Sequence, residues 1–203
     1  MKSLKIIALL FGFLLMSCNE SKQETTEVSD DLNSAIDLEK EGDEIKELMK
    51  NLYKWHEQIS SNADFTPLLE HKSDALYIGL DIDALKQRIE ELNKAGYFSQ
   101  EFLDNYHQIG KTIDNRMRDK TLVWEVGGYP PFGNGANPWC NCQDVVNNYW
   151  DILEIENLAI VSGIASFQWT WGGDFSYKAK AIKENDQWRI YYLEGFDFDN
   201  FIK

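Results

Sequence analysis

Apolar residues recur at helical spacing in three segments of the N-terminal half of the chain. The first segment predicts a helix over residues 43–60. The second predicts a helix over residues 83–95 that ends before Gly96, because glycine readily adopts the left-handed conformation that follows a helix. Ser99 is a favourable N-terminal cap, and the third segment therefore predicts a helix over residues 99–118.

After Lys120 the pattern changes to an alternation with a period of two residues, which is typical of β-strands. Weak alternation predicts a short strand over residues 121–126, and an apolar segment predicts another over residues 149–154. Glu156-Asn157 then predicts a turn. Stricter alternation predicts one long strand over residues 158–171, with the residues at odd positions facing the core.

The end of the chain predicts two more strands, over residues 175–181 and 187–193, with turns at Gly172-Gly173 and Asn185-Asp186. Gly163 in the middle of the long strand predicts a bend. Helices followed by an antiparallel meander define an α+β fold, here with a curved antiparallel sheet of four or slightly more strands.

The first residues have the pattern of a secretory signal. Lys2 and Lys5 precede an apolar run over residues 6–16, which is too short to span a membrane. The run ends in Leu15-Met16-Ser17-Cys18, which resembles the lipobox of bacterial lipoproteins. The resemblance implies a signal peptide over residues 1–17 and a lipid on Cys18 that anchors the protein in the cell envelope.

A polar, acidic stretch over residues 18–42 follows this cysteine and holds few apolar residues, so we expect a flexible tether. The remaining residues, 43–203, are enough for one domain with its own core. Position 19 is Asn rather than the Asp that often retains lipoproteins in an inner membrane. That difference favours the outer membrane and does not indicate which face carries the domain.

The charge balance restricts the partners. The chain carries 34 acidic and 20 basic side chains, for a formal net charge of −14, and loss of the signal would remove Lys2 and Lys5 as well. Phosphate backbones and anionic lipid headgroups repel such a protein, so a nucleic-acid partner is not expected. The acidic residues indicate a solvated surface, or a neutral or basic partner.

Near its end the chain reads Glu184-Asn185-Asp186-Gln187-Trp188-Arg189-Ile190, a charged turn followed by Trp and an apolar strand. Together with the order of helices, long loop and meander, this resembles the nuclear transport factor 2-like superfamily. Cys142-Gln143-Asp144 is similar to the end of the long loop in a family of bacterial lipoproteins of unknown function on that fold. Over roughly residues 43–195 the resemblance implies a cystatin-like cone, but a fold does not imply a function.

Enzymes of this superfamily use a His or Asp inside the cone for general acid–base work on a small hydrophobic substrate, with a pKa shifted by a dry pocket. The resemblance therefore implies a pocket formed by five side chains, namely His56, Trp124, Asp144, Tyr149 and Trp169. The alternative is a hydrogen-bonded core histidine at position 56 and a loop-capping aspartate at position 144.

Residues 127–143 contain four glycines and three prolines and predict a long loop, a feature that is often functional or mobile in compact domains. The loop holds Cys140 and Cys142, separated by one residue. They can form a structural disulfide, remain free thiols, act as a redox pair, or bind a metal together with His56, His71 or His107. Zinc sites usually separate two cysteines by two to four residues, so this spacing argues poorly for metal.

Neither a phosphate-binding loop nor a Gly-x-Ser-x-Gly nucleophile elbow is present in the sequence. The leading hypothesis is a non-catalytic envelope lipoprotein, without cofactor or metal, whose cone binds a small ligand or a protein partner. One alternative is an isomerase-like or hydrolase-like enzyme that uses His56 or Asp144. Another is an immunity or inhibitor protein, which would carry one contiguous acidic patch.

Overall fold

Three long helices precede the main sheet. This computed structural model describes residues 24–60 and 63–202, and the chain divides into two compact units, Met1–Asp37 and Leu38–Lys203. Helix α1 spans Glu24–Gln58, α2 spans Ile82–Ala95 and α3 spans Gln100–Arg118. Between α1 and α2, strand β1 (Pro67–Leu68) pairs antiparallel with β2 (Gly79–Leu80).

Helix α1 begins at Glu24, so the predicted start at residue 43 is wrong. The segment over residues 18–42, which was expected to be a flexible tether, is helical from Glu24 onward. Good helix formers such as Ala, Leu, Glu and Lys are interspersed among its Ser and Thr residues, and they outweigh the low apolar content. Residues 1–23, with the predicted signal peptide and Cys18, lie outside the described residues.

The boundaries of α2 and α3 confirm the capping signals. The N–H of Gly96, which has a φ of 77°, donates to the carbonyl of Asn93 at the end of α2. The side-chain oxygen of Ser99 accepts a hydrogen bond from the N–H of Phe102 at 3.3 Å and so caps α3. At the start of α2, Asp81 accepts hydrogen bonds from two backbone N–H groups, at 3.0 Å each.

The main sheet is a four-stranded antiparallel meander in the order β3-β4-β5-β6. Its strands are Glu154–Val161 (β3), Ile164–Thr170 (β4), Tyr177–Glu184 (β5) and Gln187–Leu193 (β6). The chain ends in a short helix, α4, over Phe198–Phe201. This order of helices and antiparallel strands is the predicted α+β fold. In the described part of the chain, no helix combines the length and the apolar composition of a membrane-spanning segment.

The predicted long strand over residues 158–171 is wrong, because it is two strands joined by a tight turn. Ser162 and Gly163 both have positive φ, and Val161 pairs with Ile164 across the turn. A two-residue turn opposes residues three positions apart, so it exchanges the odd and even faces. Val161 is therefore 70% exposed instead of facing the core. The sequence did not reveal this turn, because residues 158–161 before it are all apolar and alternation therefore could not distinguish the two faces of the strand.

Two further strand predictions are wrong. Residues 121–126 form no strand and contribute one isolated bridge, between Leu76 and Glu125. Tyr149–Asp151 is a single 3-10 turn, in which the adjacent residues Tyr149 and Trp150 are both buried. Burial of two consecutive side chains breaks the alternation that a half-buried strand requires. The expected turn at Glu156-Asn157 is instead an irregularity inside β3.

Candidate binding site

Two of the predicted pocket residues lie in a filled aromatic core between the sheet and α1. Trp169 and Tyr149 are at most 1% exposed, with ring centroids 5.9 Å apart. Tyr53 of α1 contacts both, at 4.6 and 5.5 Å. We call this set the aromatic core, and its six members are Tyr53, Tyr149, Trp169, Trp171, Phe175 and Tyr177.

The rings of the aromatic core contact each other closely. Trp171 stacks on Phe175 with a centroid distance of 3.6 Å, and Phe175 lies 4.9 Å from Trp169. Such pairs contribute roughly 0.5–1.5 kcal/mol each beyond their burial. The Tyr149 hydroxyl donates to the Glu57 carboxylate at 3.1 Å. The space around Tyr149 and Trp169, two of the five predicted pocket residues, is thus occupied by these side chains.

The structure does not bring the five predicted pocket residues together. Asp144 is exposed on the loop before the 3-10 turn, which removes it from any dry pocket. Trp124 is buried, but it lies beside Tyr77 and Phe132, away from the aromatic core. The sequence could not show this separation, because residues 121–148 contain no regular element from which positions can be inferred.

His56 on α1 is stacked on Trp139, with ring centroids 4.2 Å apart. Its Nδ1 is buried and has no hydrogen-bond partner among the described residues. Burial disfavours the charged imidazolium and lowers the pKa of His56 to about 4, with smaller opposing effects of Asp64 and Glu91. His56 is therefore neutral at neutral pH, but it differs from the hydrogen-bonded core histidine of the alternative, because its Nδ1 has no partner among the described residues.

A second group of aromatic residues surrounds an open space of about 180 Å³. Trp124 contacts Phe132 edge-to-face at 5.3 Å, and its indole N–H donates to the carbonyl of Gly128 at 3.1 Å. Tyr129 stands at the rim and is 92% exposed. We call this space the aromatic cleft, and its lining is Asp64, Phe65, Trp124, Tyr129, Pro130, Phe132, Gly133, Gly135, Ala136, Pro138 and Phe201.

Asp64 is the carboxylate of the aromatic cleft, and three donors orient it. Its Oδ1 accepts from Arg88 Nε at 2.9 Å and from the Tyr106 hydroxyl at 2.6 Å. Its Oδ2 accepts from Trp139 Nε1 at 2.6 Å. Three hydrogen bonds from α2, α3 and the long loop hold the carboxylate in one position.

The next residue, Phe65, has a φ of 51°, in the left-handed region that large side chains seldom adopt. Its ring is 2% exposed and stacks on Tyr106 at 4.7 Å. This stacking holds the unfavourable backbone conformation in place. Strained backbone of this kind is concentrated at functional sites, and here it adjoins the carboxylate.

Arg88 lies behind Asp64 and is 1% exposed. Its guanidinium also donates to Glu91 at 2.7 Å and lies 5.4 Å from the ring centroid of Trp139. Burial tends to lower the pKa of Arg88, but the charge of Asp64 and the bond to Glu91 outweigh it and raise the pKa. The sequence did carry a signal for this residue, since a charge lies on the apolar stripe of α2.

Buried hydrogen bonds attach the long loop to the sheet and to α1. The hydroxyls of Tyr53 and Tyr177 donate to the carbonyls of Trp139 and Pro138, at 2.6 and 2.7 Å. Gly195 approaches so closely that an added Cβ would lie 1.9 Å from the Pro138 carbonyl oxygen. The loop side of the cleft is therefore held in place by these contacts.

Cys140 and Cys142 form a disulfide within this loop, with Cα atoms 5.1 Å apart. This is the first of the alternatives that the sequence left open. His71 and His107 are exposed on other elements. Within the described ranges, no group of three or more His, Cys, Asp or Glu side chains is arranged to bind a metal.

A second, more polar cleft of about 250 Å³ lies beside the first. Glu194 lines it together with Asn134, Asn141 and Asn200. The two clefts share four lining residues, which are Gly133, Ala136, Pro138 and Phe201. A ligand larger than one ring can therefore contact both clefts.

Comparison with protein family models, curated proteins and solved structures gives no match to this chain. Its class is thus defined by the fold and the site, an α+β domain in which an aromatic cleft presents an oriented carboxylate.

Proposed function

We propose that this protein is a non-catalytic binding protein of the cell envelope and that the aromatic cleft holds a small apolar or aromatic group of its ligand. In this proposal the signal peptide over residues 1–17 is removed and a lipid on Cys18 anchors the chain, in the outer membrane. The observation that carries the binding role is an open cleft that is lined by aromatic rings, with Tyr129 exposed at its rim, and by the fixed Asp64 carboxylate.

The arrangement of titratable groups favours binding over catalysis. General acid–base chemistry needs a group that can exchange a proton with the substrate, commonly beside a second such group. Three donors already engage Asp64, and the imidazole of His56 stacks behind Trp139 rather than lining either cleft. The aromatic cleft therefore offers a fixed acceptor and ring faces, which suit recognition.

The nuclear transport factor 2-like cone is part of the same proposal. Members of that superfamily commonly end in a charged hairpin turn, then Trp, then an apolar strand packed on the first helix. The indole N–H of Trp188 donates to Glu41 of α1 at 2.6 Å, and Lys183 contacts the same carboxylate at 2.5 Å. These contacts support the resemblance.

Intact mass and detergent partitioning of the full-length protein from its native membrane test the envelope anchor. A mass that begins at Cys18 and includes acyl chains, together with partition into the detergent phase, is the expected result. A Cys18→Ala variant should stay uncleaved and unacylated. An unacylated wild-type protein in the aqueous phase would refute the anchor.

Indole N–H resonances in a ¹⁵N-labelled full-length protein test the cleft. Addition of the neutral probe benzyl alcohol should shift the resonance of Trp124, assigned with a Trp124→Phe variant, and leave that of Trp169 unchanged. If a series of small neutral, cationic and anionic aromatic probes leaves the Trp124 resonance unmoved, the proposed binding site is wrong.

A further inference from the structure

We infer that the aromatic cleft selects organic ammonium ions, that is, ligands in which an alkyl or aryl body carries a positively charged nitrogen. The inference rests on the proposed binding function and names the chemical class of its ligand. It follows from three properties of the cleft, which are the sign of its charge, the aromatic rings in its lining and the unused capacity of its carboxylate.

The charged side chains that line the two clefts are carboxylates. Asp64 lines the aromatic cleft and Glu194 the polar one, and no Lys or Arg occurs among the described residues of either lining. Arg88, the cation that pairs with Asp64, is 1% exposed and also binds Glu91. A ligand in the cleft therefore meets the carboxylate, while the guanidinium stays behind it.

Aromatic side chains, among them Trp124, Tyr129 and Phe132, line the space that a cation would occupy. The indole N–H of Trp124 is already used on the Gly128 carbonyl, so its π surface rather than its donor is left for a ligand. Phe132 stands at 90° to Trp124, and Tyr129 is 92% exposed at the rim. A cation over such rings is attracted by their negative π faces, and a neutral or anionic group of the same shape does not gain this attraction.

The carboxylate retains capacity for one more donor. An ionised carboxylate can accept about four hydrogen bonds. The Asp64 oxygens accept three from described residues, two at Oδ1 and one at Oδ2. An ammonium N–H satisfies the remaining position with a charge-assisted bond, which is roughly twice as strong as a neutral one.

The charge of the whole chain acts in the same direction. A formal net charge of −14 raises the local concentration of cations and lowers that of anions near the surface. Cations are thus favoured over neutral and anionic ligands by the net charge at long range, and by Asp64 and the aromatic rings at contact.

Three probes of nearly the same shape test the inference on the full-length protein, namely benzylammonium, benzyl alcohol and benzoate. The shift of the Trp124 indole N–H measures the affinity of each. We expect benzylammonium to bind at least tenfold more tightly than benzyl alcohol, and benzoate to bind more weakly than both. Added salt should weaken benzylammonium and leave benzyl alcohol unaffected.

Two variants of Tyr129 locate the effect without disturbing the core. Tyr129→Ala should reduce the affinity for benzylammonium several-fold, and Tyr129→Phe should retain it, because the ring face supplies the interaction. Val123→Ala, at an exposed position outside the lining, is the matched control. Asp64→Asn should abolish the preference for the cation, and the comparison of probes on the unaltered protein does not depend on whether this variant folds.

The outcomes separate the two proposals. If benzyl alcohol binds as tightly as benzylammonium, or benzoate binds more tightly, the cleft binds ligands without cation selection and the inference is overturned while the binding function stands. If none of the three probes moves Trp124, both are overturned.

Discussion

The aromatic core and the aromatic cleft are built from the same kinds of side chain, but the core is filled and the cleft is open. In the core, Trp169 is fully buried, with Tyr53 and Tyr149 packed against it. In the cleft, Trp124 and Phe132 border an open space with the Asp64 carboxylate in its lining. An abundance of Trp, Tyr and Phe therefore does not indicate which of them will meet a ligand.

The difference arises from the backbone that carries the rings. Strands β4 and β5 project alternate side chains onto α1 at a regular spacing, and these rings can interlock at the density of a protein interior. The wall of the cleft comes from a loop whose glycines and prolines exclude regular structure. A loop held by a few hydrogen bonds can leave a gap, which is why binding sites are so often formed by loops on a rigid scaffold.

The largest effect is expected in the core. Trp169→Ala should lower the free energy of unfolding by about 4 kcal/mol, because it opens a cavity among packed rings. Urea denaturation followed by circular dichroism measures the loss. Val161→Ala, at an exposed position in the same sheet, should change stability by less than about 0.5 kcal/mol. A loss below about 1 kcal/mol for Trp169→Ala would show that the core is not tightly packed.

Removal of the cleft carboxylate is expected to lower the free energy of unfolding slightly less than Trp169→Ala does. Asp64→Ala should destabilise the fold by about 3 kcal/mol, since it removes one of the carboxylates that pair with the buried Arg88. The double variant Asp64→Leu/Arg88→Met should recover part of that loss in the same denaturation assay. A double variant less stable than the single one would contradict the view that the lost ion pair of the buried Arg88 is the cause.

Protonation of His56 at low pH is expected to lower the free energy of unfolding by less than Asp64→Ala and by more than Tyr129→Ala. The pKa of His56 is lowered from about 6.5 to about 4 in the folded protein, so the unfolded chain binds the proton more readily between these values. This contribution to stability is complete above pH 6.5 and falls as the pH decreases to 4, by about 2 kcal/mol after allowance for partial exposure.

The variant His56→Phe isolates that contribution, because it removes the imidazole and keeps a ring of similar size in its place. The difference in unfolding free energy between wild type and variant should change between pH 6.5 and pH 4. A difference that stays constant over this range would show that His56 is not protonated differently in the two states.

The smallest effect on stability is expected at the cleft rim. Tyr129→Ala should change the free energy of unfolding by less than about 0.5 kcal/mol, because its side chain is 92% exposed. Thermal and urea denaturation measure this, with Trp124→Ala as the buried comparison. A loss above 1 kcal/mol would mean that Tyr129 packs in solution and is not free to contact a ligand.

Local signals in the sequence determined much of the framework. The helix ends at Gly96 and Ser99 depend on single side chains or on glycine conformation, and both were predicted correctly. The turn at Asn185-Asp186 was also predicted, since both residues have the positive φ that Asn and Asp tolerate. Such features involve residues close in the chain, so the sequence is sufficient to place them.

The tertiary structure decided which strand faces are buried and which residues meet in the candidate site. The turn at Ser162-Gly163 was hidden within a run that is apolar on both faces, and only pairing with β4 assigns one of those faces to the core. The candidate site joins Asp64, Arg88, Trp124 and Trp139 from four separate parts of the chain. No spacing in a single sequence encodes such a contact, because long-range packing brings these groups together after the local elements have formed.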